Sequence, residues 1–272
     1  MKPIALTLAL MVVFGFWLEG IGEQLVYAQQ APDPRVADLV KAGKLRVGLG
    51  LGSAALALKD PATGEVRGPA LDLARALAER IGVGVQAVQY PKPGAILEGA
   101  RTNAWDVAFL IVHAARTGEA DFSPPYMESD LTYVVPAGSS IRSVADVDQP
   151  GVRIAEGSGT PSNSYLSGKL KRAELVFADS LPAALDFVRT GRAEAWVAPR
   201  TVLLAAVAKA PGFRILEDRV AVLSYAASVP KGNTGWLAYV SEFIEEAKAS
   251  GLVKQTIERY GLQGVQVAPT RK

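Results

Sequence analysis

Arg116-Thr117-Gly118-Glu119-Ala120-Asp121-Phe122-Ser123-Pro124-Pro125-Tyr126 is the stretch on which the reading of this 272-residue chain turns. One guanidinium stands six residues ahead of an aromatic, proline-stiffened turn. A guanidinium presents a planar fork of donors that matches a carboxylate through two parallel charge-assisted hydrogen bonds. The run therefore reads as a carboxylate clamp.

Outward from it, hydrophobic periodicity alternates between the strand and helix repeats. On the N-terminal side the pattern predicts a linker and short helix over 32–43, strands at 45–49, 83–90 and 106–112, and helices at 71–81 and 94–102. Leu73, Leu77 and Ile81 repeat at helical spacing. On the C-terminal side it predicts a strand at 131–135 after the Pro124-Pro125 turn, then strands at 153–155, 174–177 and 193–197. Helices at 162–172, 181–190 and 201–209 separate or follow these, and a late strand at 221–229 precedes helices at 234–250 and 253–260. Such alternation is that of parallel α/β units. The two α/β sets, with a strand and two helices left over, suggest a chain that leaves one lobe, builds a second and returns. The crossings are expected at 128–132 and 220–225.

Composition narrows the function classes. With 49% hydrophobic and 21% charged residues and a net charge of +2, the chain is globular and has length for two modest domains. Its charges are scattered in mixed sign, which makes nucleic acid an unsuitable partner. Met1-Lys2-Pro3 followed by the apolar run 4–18 and by Val26-Tyr27-Ala28 reads as a signal peptide over 1–28, and so as an exported, periplasmic product. An uncleaved anchor is the alternative, although the run is short for a membrane span. Cysteine is absent, so no disulfide supports the fold. A single histidine, His113, excludes two-histidine metal motifs, and no G-x-S-x-G elbow supplies a serine nucleophile.

The run from Arg116 to Tyr126 resembles the Arg-then-Phe-Ser-x-Pro-Tyr signature of the bacterial extracellular solute-binding proteins of family 3, the amino-acid receptors of ABC importers. The resemblance spans roughly Leu45 to Gly261. It implies a two-lobe, type II periplasmic-binding-protein fold in the α/β class, with a two-strand hinge. The lobes would be 33–130 with 222–272, and 131–221. It also implies that Arg116 grips a ligand's α-carboxylate, and that the protein is a monomer handing its ligand to a membrane permease, with no cofactor or metal and no catalysis.

Glu156-Gly157-Ser158-Gly159-Thr160-Pro161 follows a predicted strand and opens a helix, with Thr160 a suitable N-cap and Pro161 a suitable first residue. Amides there can bind an anion; a capped helix with no ligand is the plain alternative. In the family a Gly-Thr at this place contacts the same carboxylate, which points to Ser158, Gly159 and Thr160. Phe109, Ile111 and His113 lie on the approach to Arg116. His113 either enters the pocket or closes the strand end, and Phe109, Tyr126 and Trp196 are equally explained by core packing.

Two features depart from the family. Gly191-Arg192-Ala193-Glu194-Ala195-Trp196-Val197-Ala198-Pro199 ends in Pro199, where the receptors carry an aspartate that neutralises the α-ammonium. Either another acid such as Glu128 takes its place, or the ligand has no α-amino group. Ala54 and Ala55 stand where family members often place a covering aromatic. Arg200 would then offer a second cation to a dicarboxylate, or face solvent. The glycines at 48, 50 and 52 lack the spacing of a dinucleotide loop. Two rivals remain: a cyclohexadienyl dehydratase-like enzyme on this fold, with Glu156, Glu128 or Glu194 as general acid, and a module that presents its ligand-bound surface to a sensor or other protein partner.

Overall fold

The computed structural model describes residues 33–270 apart from 52, 92–94, 113–116, 158–160 and 167. Strands 84–90, 44–50, 107–111, 221–230, 120–136, 195–199, 153–157 and 174–178 lie side by side in that order in one sheet, and the short strands 213–215 and 265–267 also pair with 120–136. The chain enters through α1 (Ala37–Ala42), builds β1 (Lys44–Gly50) and passes through the small hairpin β2 (Leu58–Lys59) and β3 (Val66–Arg67) into α2 (Pro69–Ile81). β4 (Gly84–Tyr90), α3 (Ala95–Arg101) and β5 (Val107–Ile111) complete a parallel set in which β1 pairs with both β4 and β5. Leu45, Val47 and Leu49 of β1 and Leu73 and Leu77 of α2 are at most 1% exposed, so the two periodicities read from sequence meet in one core.

β6 (Ala120–Pro136) then runs the length of the molecule. Beyond it lie β7 (Arg153–Gly157), α4 (Pro161–Leu166), β8 (Glu174–Ala178), α5 (Leu181–Arg189), β9 (Ala195–Pro199) and α6 (Arg200–Val207). β7 pairs in parallel with β8 and β9, and β9 pairs antiparallel with β6. After β10 (Phe213–Ile215), β11 (Ala221–Pro230) returns beside β6, and α7 (Thr234–Ala249), α8 (Leu252–Arg259) and β12 (Val265–Val267) close the chain.

The expected turn at Pro124-Pro125 is not a turn. Both prolines lie inside β6, and the strand expected at 131–135 is the far end of the same element. Proline lacks the N–H a ladder needs and is tolerated in a sheet at bulges. The register with β11 slips twice there: Met127 faces Tyr225, Pro125 faces Ala226 and Phe122 faces Ser228. Ser123 compensates, since its Oγ accepts from the Ala227 N–H at 3.1 Å and donates to the Pro124 carbonyl at 2.7 Å. The helix expected at 162–172 ends at Leu166. The short pairings of β2 with β3, of β10 and of β12 fall below the length at which alternation is readable.

Both parallel sets start from the same device. In the first, the Asp106 carboxylate accepts from the Arg46 backbone N–H (2.8 Å) and from its guanidinium, while the Asp106 N–H donates to the Arg46 carbonyl. In the second, Glu194 accepts from the Arg153 N–H (2.6 Å) and guanidinium, and its own N–H donates to the Arg153 carbonyl. Each clamp fixes the amino end of one strand to that of the neighbour. The residues three before the acids, Asn103 and Gly191, both have positive φ (52° and 73°), a conformation glycine and asparagine accept most readily.

Candidate functional site

Strand directions define the candidate site. β5 runs parallel to β6 and reaches it through β11: Ile111 faces Tyr225, which faces Met127. β9 runs the opposite way and ends with Pro199 against Leu131. The carboxyl ends of the two parallel sets thus point toward each other along β6 and stop at Met127 and Leu131, about 13 Å apart in extended chain. In open α/β sheets the connections leaving such carboxyl ends are where ligands bind. Residues 112–119 leave β5 at this place and 158–160 leave β7.

Of the residues singled out from sequence, His113, Arg116, Ser158, Gly159 and Thr160 lie outside the described residues. Their flanks are firmly held. Lys231 Nζ donates to the Thr117 carbonyl (2.9 Å) and to Asp121 (2.6 Å), whose carboxylate also accepts from the Gly232 N–H. The Lys231 hydrogen bond holds the Asp121 carboxyl below the usual range. Asp121 is thus engaged by Lys231, which also holds the carbonyl of the residue next to Arg116. On the other side, Glu156 is fully buried and Gly157 ends β7 beside Ala178.

Ile111 is the last residue of β5 and is partly exposed. Phe109 is not: it is 1% exposed and meets the Tyr126 ring edge-on at 5.8 Å. Side-chain alternation sends Phe109 into the core and leaves no ring surface for a ligand. Trp196 and Tyr126 are buried likewise, and burial pushes the Tyr126 phenol well up. Pro199 ends β9 and occupies the N-cap position of α6, with no side-chain cap hydrogen bond.

Glu128 lines a cavity of about 160 Å³ with Ser129, Asp130, Arg219 and the 264–266 segment, and its carboxylate lies 3.5 Å from Gln266 Nε2. Nothing in the sequence pattern placed β12 against this edge of β6. Arg200 is neither a second ligand cation nor solvent-facing. Its side chain is 17% exposed, lies 3.4 Å from Asp130 and donates to the Leu216 and Glu217 carbonyls. Asp130 also meets Arg219 at 3.4 Å, so the α6 start and the 216–221 run are both tied to β6. Gly48, the first of the glycines at 48, 50 and 52, lies inside β1 and has a packing reason: a Cβ there would lie 3.0 Å from Trp105 Cδ1 and 3.1 Å from Ala108 Cβ. Among the described residues no group of three or more His, Cys, Asp or Glu is placed to hold a metal ion.

Comparison with known proteins bears on the family and the fold. The profile of the bacterial extracellular solute-binding proteins, family 3, matches residues 45–263. The ABC transporter glutamine-binding protein GlnH of Bacillus subtilis (strain 168) is 21% identical over 208 residues, 75% of this chain and 76% of that protein. Among solved structures, the ancestral amino acid-binding protein AncCDT-1, a precursor of cyclohexadienyl dehydratase, is 28% identical with a TM-score of 0.68, covering 82% of this chain and 97% of that one. Holo ArgBP from T. maritima is 26% identical with a TM-score of 0.63, over 82% and 98%. The architecture is thus the mixed α/β periplasmic-binding-protein fold, and the chain belongs to the bacterial extracellular solute-binding proteins, family 3.

Proposed function

We propose that this protein captures a small carboxylate-bearing solute, an amino acid or an organic acid of that kind, in the periplasm and delivers it to an ABC permease. The observation that carries the reading is the convergence of the carboxyl ends of β5 and β9 on Met127 and Leu131 of β6. From β5 the chain leads to Arg116, from β7 to the amides of Ser158, Gly159 and Thr160; a carboxylate held by both would bridge the two sets. The names of the similar glutamine- and arginine-binding proteins support an amino-acid-like ligand and a transporter. Residues 1–28 are the proposed export signal. Residues 33–130 with 222–272, and 131–221, are the proposed lobes, closing about the antiparallel pair of β6 and β11; contacts from the second lobe would favour the closed population.

The test is titration calorimetry on Arg116→Ala. Binding is expected to vanish while the melting temperature stays within a few degrees, because the residue serves the crevice and not the core. Unchanged affinity would remove Arg116 from the site.

The likeness to a precursor of cyclohexadienyl dehydratase favours one second reading, an enzyme acting on prephenate or a similar acid. Glu194 is unsuited to be its general acid, since the Arg153 hydrogen bond lowers its pKa. Glu156, fully buried beside the 158–160 connection, is the remaining candidate on β7. Formation of phenylpyruvate from prephenate by the purified protein, lost in Glu156→Gln, would establish this reading; no turnover leaves capture.

A further inference from the structure

Two cavities among the described residues differ in the charge of their walls. The one beside β12 sets Glu128 and Asp130 against Arg219. The other, of about 260 Å³, is lined by Ala54, Leu58, Arg67, Gly68, Arg259 and Tyr260, which supply two cations and no acid. It lies among the β2–β3 hairpin, the start of α2 and the end of α8. Its lining takes no residue from β5, β6, β7 or β9, whose ends define the candidate capture site. A cleft of this volume falls just below the range of about 300–1,000 Å³ that drug-sized ligands occupy.

The cavity is built from short-range geometry. Leu58 faces Arg67 directly across the hairpin, and residues directly opposite in an antiparallel pair share a face. A Cβ on Gly68 would lie 2.8 Å from Ala57 Cα and closer still to the Leu56 carbonyl, which accepts from the Ala70 N–H at 3.0 Å. That wall is backbone packed on backbone, so it holds its shape without a ligand.

Its cations are incompletely matched. Asp72, in the first turn of α2, accepts from Arg259 at 2.8 Å, lies 3.7 Å from Arg75 and is hydrogen-bonded to the Tyr260 hydroxyl. One carboxylate thus serves two guanidinium groups. Arg67 makes no hydrogen bond or ion pair with another described residue, and the Asp60 carboxylate, which feels its charge, accepts from the Ala62 and Thr63 N–H groups instead. Burial, followed by the charge of Asp72, pushes the Tyr260 phenol up, so its ring stays neutral. Leu58, 38% accessible, adds apolar surface beside Arg67.

We propose that this cavity is a second ligand site, which takes the phosphate or carboxylate group of a small organic anion at Arg67 and Arg259 and lays its apolar part against Leu58 and Tyr260. Guanidinium forks match the oxygens of either group. The side chain of Arg259 is 63% exposed, so salt screens the attraction and affinity falls as ionic strength rises.

The experiment follows the backbone amides of the protein by NMR while phenyl phosphate or benzoate is added at constant ionic strength, with benzylamine as the cation of similar size. Saturable shifts centred on Gly68, Arg259 and Tyr260 are expected with both anions and not with benzylamine. Arg67→Gln should weaken phenyl phosphate at least about tenfold. Leu58→Glu, which sets a carboxylate opposite Arg67, should abolish its binding. Both side chains are exposed, so the melting temperature of each variant should match that of the parent protein. Shifts confined to Ile111, Met127 and Leu131 would place the anion at the capture site and overturn the proposal. Shifts that do not saturate, equal binding of benzylamine, or unchanged affinity in either variant would overturn it as well. Association with phosphatidylglycerol vesicles in the absence of any binding of the free anions would assign the cations to a lipid headgroup and not to a small molecule.

Discussion

The parallel sets on either side of β6 share a foundation and differ in what fills them. Arg46 with Asp106, and Arg153 with Glu194, make the same backbone and guanidinium contacts at the amino ends. The large indole stands at different places relative to the acid: Trp105 immediately before Asp106, Trp196 two residues after Glu194. Trp105 is fully buried and its Nε1 donates to the Ile96 carbonyl at 2.8 Å. Trp196 is 1% exposed and its Nε1 finds no partner among the described residues. Around it the core is built largely of Ala155, Ala178, Ala184, Ala193 and Ala198, whereas Trp105 packs with Ile96 and Leu110 as well as Ala100, Ala108 and Ala120. A common clamp suffices to start a parallel set; how tightly it is packed is decided by side chains further along.

Four measurements would break or sharpen this contrast. The largest effect belongs to the indoles themselves: Trp105→Ala and Trp196→Ala should each destabilise by about 3–5 kcal/mol in denaturant melts. If Trp196→Ala cost under about 1 kcal/mol, the alanine-lined core would not depend on its plug. Next comes Gly99→Ala, whose added Cβ would lie 2.8 Å from Trp105 Nε1 and closer still to the Tyr90 hydroxyl; about 1–3 kcal/mol of overpacking is expected. Among the glycines described, none comparably approaches Trp196.

Replacing each indole by phenylalanine isolates the hydrogen bond. Trp105→Phe loses the bond to Ile96 and orphans that carbonyl, so it should cost about 1 kcal/mol more than Trp196→Phe, which removes an unpartnered donor. Equal costs would mean that Trp196 Nε1 is satisfied in solution. The smallest effect concerns the second clamp. Arg153 holds the Glu194 carboxyl below its ordinary value, chiefly through the side-chain hydrogen bond. A carboxyl whose folded pKa is depressed stabilises the fold above its unfolded pKa, near 4.3, and that contribution fades as pH falls toward the folded value. Glu194→Gln should therefore lower the melting temperature slightly at pH 7 and flatten its decline below about pH 4.5. An acid limb identical to that of the parent protein would show the clamp to be energetically silent, as many exposed ion pairs are.

Much of the fold was legible because it rests on local periodicity. The spacing of Leu73 and Leu77 and the alternation in 45–49 foretell α2 and β1 to within two residues. Residues 128–131 and 221–225, expected to be extended, pair with each other across β6 and β11. Pro124-Pro125 misled for a definite reason. Turn chemistry is a property of the dipeptide, but whether a proline's missing donor matters depends on a partner a hundred residues away, here Ala227 and its bond to Ser123.

The site divides along the same line. Sequence alone determined the family, the order of α/β units and the candidates Arg116 and 158–160, because these are residue types in a fixed local order. Only the tertiary structure decided that Phe109 belongs to the core, that Arg200 is tied to Asp130, that β12 lies beside Glu128 and that Phe177 and Leu181 stand in water. Alternation along a strand names two faces but not which one is covered. That is settled by elements far off in the chain, and with it which side chains remain for a ligand.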